Sequence, residues 1–588
     1  MSPIDPVRLE VIRNALVAAA EEMSITIWRT SRSTVVREIL DFSTAVFDAQ
    51  GRNIAQSARI PVHLNSMSDC LKTILEQYIP LDSWNDGDVI VTNDPYAGGQ
   101  HLPDIQTFRP VFVDGERVGI VGTLCHHVDV GGGAAGSYYA AATEVFHEGI
   151  RIPPLRLVDQ GTLNAGVFEM LLYNVRQPDE TRGDLNAQIA ALGIGARAVS
   201  RIAKKYGNAN LAAAMSAILD GSERMMRAAI AALPDGTASF VETVDDDGQS
   251  ETPIRLEIAI TKVGDTISLD FAGSSPQVRG PVNNTPAMTC SAVYYALLAA
   301  LGSDIPANSG CYRPVRVNLP KGSVVNAQFP APVAGRMVVN HRIATCVFGA
   351  LAQIMPERIP AAYYAISYVY ALSIVRPNAR RQVYFDIEVG GWGGHAGGDG
   401  ASALSCGLHN NTNAPIEMVE AKYPVLFTRY GLLPDSGGAG AHRGGLGLVR
   451  EFRLEAGEGS LSTNFERFRF PPYGIKGGLP GSLSSTTVTH KDGRTESLNS
   501  KVSGIPLAAG DLVTIATSGG GGYGDPRERD RAKLADDLAE GLVTPEAART
   551  LYGAPELAAA ASTKVNCGKA GSARTGAKAA PAKTGVAA

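Results

Sequence analysis

Charge is scarce in this chain. Asp, Glu, Lys and Arg make up 19% of its 588 residues, against about 25% in an average soluble protein. A surface so lightly charged points to coverage by partner subunits. The formal net charge of -5 and pI of 6.1 give no electrostatic case for nucleic acid as the main partner. No apolar run approaches the ~18 residues of a transmembrane helix. Met1-Ser-Pro-Ile-Asp-Pro6 lacks the basic start and apolar stretch of a secretory signal. No Cys-x-x-Cys pair occurs. The seven cysteines (70, 125, 290, 311, 346, 406, 567) are scattered and odd in number, which reads as reduced thiols in a cytoplasmic protein. Internal repeats at solenoid periods are absent. So are acidic residues after Glu556, where Lys564, Lys569, Arg574, Lys578 and Lys583 stand among Ala, Gly and Thr; this predicts a disordered basic tail over 559–588.

Glycine is plentiful, at 64 residues, and clustered, which predicts shaped loops rather than a flexible polymer. The clusters include Gly390-Gly-Trp-Gly-Gly-His395, Gly437-Gly-Ala-Gly440 and Gly519-Gly-Gly-Gly-Tyr-Gly-Asp-Pro526. For the last, a tight structural turn at an interface is favoured over a phosphate cradle. The overall pattern predicts an α+β fold: a large mixed core with β-hairpins and glycine-rich loops over 1–526, its metal-binding part near 30–155, then a helical pair over 527–558. Helices are expected from Pro6 to about Arg29, capped by Asp5, from Met67 to Tyr78, through the alanine-rich stretch 182–233, from Pro286 to Leu301 with Thr285 as cap, and from Ile343 to Ile354. Strands are expected at Phe42–Phe47, Asp88–Asn93, Ile254–Ile260 and Thr266–Phe271. Ile105–Val113 and Val118–Cys125 should form a hairpin about Asp114-Gly-Glu-Arg117.

Five of the ten histidines lie between residues 63 and 147. Three of them stand with aspartates in His101-Leu-Pro-Asp104 and Cys125-His126-His127-Val-Asp129. Imidazole with carboxylate is ligand chemistry for a borderline divalent metal such as Zn, Mn or Fe. The hairpin brings the far ends of its strands together and sets Asp104 across from His126 or His127; counting leaves that one-residue ambiguity open. Pro103 makes His101–Asp104 a bend. Asp41, at the start of the early strand, is a candidate fourth ligand. His127 and Asp129 are candidates for catalysis or for orienting His126. His63 is expected to pack or hydrogen-bond near the rim rather than ligate, and Arg336 is a candidate anion contact.

At these residues the chain resembles the hydantoinase B/oxoprolinase family. The matching pieces are Asn93–Asp104, His126–Gly132, His147–Pro154, Ser436–Gly447 and Gly519–Pro526. The resemblance implies one divalent metal held at Asp41, His101, Asp104 and His126, which settles the hairpin ambiguity for His126. It also implies a hydantoinase A-type partner, an actin-like ATPase that binds ATP and phosphorylates the substrate carbonyl, in a hetero-oligomer such as A2B2. This chain has no G-x-x-x-x-G-K-[ST] of its own. The expected activity is ATP-dependent hydrolysis of a cyclic amide: hydantoin, 5-oxoproline or a lactam. The alternatives are the large subunit of a ketone carboxylase using bicarbonate, and a non-catalytic scaffold.

Overall fold

The computed structural model describes residues 5–302 and 304–561. The fold is α+β, and among the described residues the strands form four sheets. The first sheet carries the histidine-rich region. In chain order its strands are β1 (Phe42–Phe47), β2 (Asn53–Gln56), β3 (Val89–Thr92), β4 (Asp104–Val113), β5 (Glu116–His126), β6 (Leu155–Asp159) and β7 (Thr162–Leu163), and in space they run β2-β1-β5-β4-β3-β6-β7. Helices cover both faces, so β1 is buried at every position. On one face Phe42, Val46, Val121 and Cys125 pack against Ile12, Leu16 and Met23 of helix Pro6–Thr30 and against Val199 of helix Pro178–Tyr206. On the other, Ala45, Phe47, Ile120 and Leu124 meet Met67, Cys70 and Leu71 of helix His63–Thr73.

The first helix begins as its sequence predicts: the Asp5 carboxylate accepts from the Arg8 amide at 3.0 Å, with Pro6 in the first turn. Helix Pro286–Leu301 also lies where expected, although the Thr285 side chain does not cap it. Two other helices depart from expectation because tertiary contacts, not caps, set their starts. Helix His63–Thr73 starts four residues early and passes into a wider π turn at Ile74–Tyr78. Helix Met337–Leu351 starts six residues early, directly after Arg336. The stretch 182–233 holds two long helices, Pro178–Tyr206 and Asn208–Ala231. A strand at Gly236–Val244, not expected from the sequence, precedes Ile254–Val263 and Thr266–Asp270 in the second sheet. The terminal pair is Arg531–Ala539 and Pro545–Thr550. Of the expected basic tail, residues 559–561 are helical and the rest lies outside the described residues.

The glycine clusters bend at Gly437, Gly440 and Gly524, but the run Gly519–Gly522 is not a turn. Gly519–Gly522 run extended, and their neighbours are other backbones. Gly520 N–H donates to Gly445 O at 2.9 Å, Gly521 N–H to Ala362 O at 2.8 Å and Gly522 N–H to Leu479 O at 2.8 Å. A Cβ on residues 519 to 522 would fall 2.1, 2.0, 2.0 and 2.2 Å from the carbonyl oxygens of Ser436, Trp392, Tyr473 and Ala439. Only glycine lets main chains pack at this separation. With these amides already donating, the segment has no phosphate cradle to offer.

Candidate metal centre

The β4–β5 hairpin turns on Asp114-Gly115, both at positive φ (52° and 79°), the geometry of a two-residue type I′ turn. Strict pairing from that turn would set Asp104 opposite Cys125. Between Val111 and Phe112 the register slips by one, leaving Val118 as a bulge, and Asp104 faces His126. The strand β1 lies on the other side of β5, with Phe42 opposite Cys125, and the His126 amide donates to Asp41 O at 3.1 Å. The start of β1, the end of β5 and the start of β4 thus share one rim. The bend expected at Pro103 is present: Asp104 N–H closes back on His101 O at 2.9 Å.

On that rim His101, Asp104 and His126 are buried, and one ligand atom from each lies within 4.8 Å of the others. The His101 and His126 ring centroids are 5.0 Å apart. His101 Nδ1 lies 3.2 Å from Ala334 O. A carbonyl only accepts, so the proton sits on Nδ1 and the lone pair on Nε2. That lone pair faces Asp104 Oδ1 at 3.3 Å. Burial, then the Arg336 charge, drive the His101 pKa down to about 4, so the ring is neutral at pH 7. Burial pushes the Asp104 carboxyl upward, but His101 and the Arg336 guanidinium overcome it and hold the group well below the ordinary carboxylate range. The Arg336 Nη2 donates to Asp104 Oδ2 at 2.6 Å and to Gln100 Oε1 at 2.8 Å.

Two electron-rich atoms therefore face each other in a buried site with no hydrogen between them. His101 Nε2, Asp104 Oδ1 and both ring nitrogens of His126 have no hydrogen-bond partner, a costly arrangement for a protein alone. A cation removes the cost. For ligand distances of about 2.0–2.1 Å, the edge of a coordination tetrahedron is about 3.3 Å, the separation found between Nε2 and Oδ1. The donor set fits a borderline divalent ion.

Asp41 lines the same cavity, with His63, Asp104, His126, Tyr138, Arg336, Ser367 and His409. Its Oδ1 lies 3.6 Å from His63 Nε2, and it is not one of the three residues whose ligand atoms converge. Burial, with the Asp104 charge adding to it, pushes its pKa up to about 8. His63 also hydrogen-bonds Ser43 Oγ at 3.0 Å through Nδ1.

His127 and Asp129 are not brought into the cavity. His127 points toward helix Pro178–Tyr206, where Nε2–H donates to Gln188 Oε1 at 3.1 Å. Asp129 anchors the following glycine loop: its carboxylate accepts from the amides of Gly131 (2.9 Å), Gly136 (3.0 Å) and Arg176 (2.9 Å) and from Arg176 Nη1 (2.9 Å). Neither hydrogen-bonds the His126 ring. Arg336, expected as an anion contact, is the ion-pair partner of Asp104. Tyr138 and Phe385, with rings 5.5 Å from His101 and 5.1 Å from His126, were not foreseen; nothing in their local sequence marks them.

The family model for hydantoinase B/oxoprolinase matches residues 5–526. Caprolactamase subunit beta of Pseudomonas jessenii is 34% identical over 94% of this chain and 96% of its own length. The crystal structure of an ATP-dependent caprolactamase from Pseudomonas jessenii superposes with a TM-score of 0.88 at 32% identity, covering 94% of this chain and 96% of that one. A nucleotide-free acetone carboxylase structure gives a TM-score of 0.86 at 19% identity, over 97% of this chain and 84% of that one, a likeness of fold. No helix among the described residues is long and apolar enough to cross a membrane.

Proposed function

The chain belongs to the hydantoinase B/oxoprolinase family, and from that premise we propose that it is the metal-binding catalytic subunit of an ATP-dependent amidohydrolase. It opens a cyclic amide (a hydantoin, 5-oxoproline or a lactam) after a hydantoinase A-type ATPase has phosphorylated the carbonyl oxygen. The observation that carries this reading is the unshielded 3.3 Å approach of His101 Nε2 and Asp104 Oδ1. His101, Asp104 and His126, completed by Asp41, would hold the ion. When bound, it supplies Lewis acidity toward a carbonyl or phosphoryl oxygen.

The residues around it divide the remaining work. Arg336 keeps Asp104 ionised, and its Nε and Nη1 hydrogens, buried and unpartnered, are donors for a phosphoryl oxygen. The Ala334 carbonyl fixes the His101 tautomer. An unstrained amide carbon is a poor electrophile. Phosphorylation of its oxygen makes the carbon electrophilic and turns that oxygen into a leaving group, so that water can add. The cavity, about 30 Å3, has room for one or two waters, so a cyclic amide would enter it by its reacting carbonyl rather than whole. ATP is assigned to the partner. His127 and Asp129 act as supports of the rim.

The test is co-expression with an A-type ATPase subunit, assaying ADP release and ring opening on hydantoin, 5-oxoproline and caprolactam, against acetone with bicarbonate. ATP-dependent ring opening that disappears in His126→Ala supports the reading. Turnover only with acetone and bicarbonate would make the chain a carboxylase subunit. Unaltered turnover in His126→Ala would make it a scaffold.

A further inference from the structure

A second buried group of metal-ligating residue types, His341, Cys406 and His409, also brings its ligand atoms within 4.8 Å of one another. It plays no part in the reading above. It differs from the first group in a decisive way: none of its polar side-chain atoms lacks a partner. Unsatisfied lone pairs mark the first group as a cation site, whereas the second is a closed chain of hydrogen bonds.

The polarity of that chain follows from counting protons. Tyr364 Oη accepts from the Cys406 amide at 2.9 Å. Its own proton can reach His409 Nε2 at 3.1 Å; the alternative is the Cys406 sulfur, a weak acceptor. With Nε2 accepting, the His409 proton sits on Nδ1 and goes to Ser367 Oγ at 2.6 Å. Ser367 then donates to His341 Nε2 at 3.0 Å. The His341 proton is on Nδ1 and goes to Tyr363 Oη at 3.1 Å, and Tyr363 donates to the His341 carbonyl at 3.5 Å. Run in reverse, the chain leans on sulfur: the Tyr364 proton would have only the Cys406 Sγ to go to, and His341 Nδ1 would accept from that thiol at 3.5 Å or from Tyr363 Oη, which disfavours this direction because sulfur is a weak donor and acceptor. The count needs one proton on each ring. Burial supplies that condition, pulling the His409 pKa down to about 3 and His341 well below its ordinary value.

One lone pair of Ser367 Oγ remains. Ser367 and His409 form part of the wall of the same cavity as Asp41, Asp104 and His126. We propose that Ser367 is a positioning residue for the water of that cavity: its proton is committed to His341, so Oγ only accepts, and it turns the lone pair of the water toward the electrophile. This role rests on the amidohydrolase reading. The two histidines do not touch the reacting atoms; they act through Ser367 by fixing the direction of its O–H.

Histidine-selective 15N NMR tests the chain without substrate, metal or partner. Both His341 and His409, assigned through His341→Gln and His409→Gln, are expected as Nδ1–H tautomers, and an Nε2–H tautomer at either overturns the proposal. The role is tested in the complex with its ATPase partner, on hydantoin, 5-oxoproline and caprolactam. Ser367→Ala is expected to lower kcat for ring opening about tenfold, leaving KM, metal content and ATP consumption unchanged, so that ATP hydrolysis uncouples from ring opening. Ser367→Thr, which keeps the hydroxyl, restores most of the rate. Wild-type kcat in Ser367→Ala overturns the role, and so does a loss of rate that follows a loss of metal. A second equivalent of zinc that disappears in Cys406→Ser overturns it as well, because the group would then be a cation site. If the wild type opens none of the three rings, the amidohydrolase reading falls and takes this role with it. An Nε2–H tautomer in an active enzyme removes the Ser367 proposal alone.

Discussion

Asp104→Asn removes one negative charge and almost no volume, so it separates electrostatics from packing. Two losses are expected. The first is in the protein itself: Arg336 and Asp104 are both buried, 2.6 Å apart, and leaving one member of such a pair uncompensated costs about 3–5 kcal/mol. The second is in the cation. A dication and a carboxylate oxygen about 2 Å apart attract by about 16 kcal/mol at an effective dielectric of 20. If a quarter of that survives desolvation, the variant binds about a thousandfold more weakly. With free Zn2+ at about 100 times the wild-type Kd, the wild type gains about 2.7 kcal/mol from the ion, and the variant about 0.1 kcal/mol or less. Thermal unfolding at one scan rate, with and without Zn2+, should therefore show a metal-dependent rise in Tm for the wild type and none for Asp104→Asn, whose metal-free Tm is also lower. Metal analysis after dialysis gives the stoichiometry. A variant that keeps one ion per chain and the full Zn2+-dependent shift would refute the reasoning, because the shared rim would then not be what holds the cation.

Three further outcomes follow from the same geometry. The Asp41 pKa is raised from 3.8 to about 8 in the metal-free chain, so its protonated form stabilises the fold fully below about pH 4, and that contribution is lost as pH rises toward 8. Cation binding at pH 7 should then expel close to one proton, measured by calorimetry in buffers of different ionisation enthalpy, and Asp41→Asn should abolish the release; equal release in both proteins would remove Asp41 from the ligand set. His127→Gln should keep its metal content, whereas Asp129→Ala, which discards four hydrogen bonds, should expose the Gly131–Gly133 loop to limited proteolysis. Gly520→Ala, with its Cβ 2.0 Å from Trp392 O, should cost more than about 4 kcal/mol and yield little folded protein; Gly504→Ala, at φ +78° with open space around it, should cost about 1 kcal/mol, read by denaturant unfolding.

The sequence made the hairpin visible because its strands alternate about an Asp-Gly turn and its ends carry histidine and aspartate. The one-residue choice between His126 and His127 was not visible, since it depends on a bulge at Val118 that no local residue demands. Asp41 was legible only as a carboxylate at the start of a strand; its place on the rim follows from the pairing of β1 with β5. Arg336 could not be assigned to Asp104, 232 residues away, because nothing in a one-dimensional pattern pairs a lone arginine with a particular carboxylate. The same holds for Ser367, whose side-chain partners His341 and His409 lie 26 and 42 residues away, although Tyr363 and Tyr364 come from its own segment. The helix starts at His63 and Met337 escaped for a related reason: tertiary contacts hold them, with no capping side chain to read. The glycine clusters were legible as constrained but not as extended, since a turn and a backbone-packed strand make the same demand for the absence of a Cβ.

That close-packed glycine region has a thermal consequence. Most of the interior is hydrocarbon, whose exposure on unfolding raises the heat capacity and whose attraction fades on cooling. An interior of amides contributes with the opposite sign. Segments 390–394, 437–447 and 519–524 should therefore hold their protection against hydrogen exchange near 0 °C at least as well as the aliphatic layers around the first sheet, and melt ahead of them on warming.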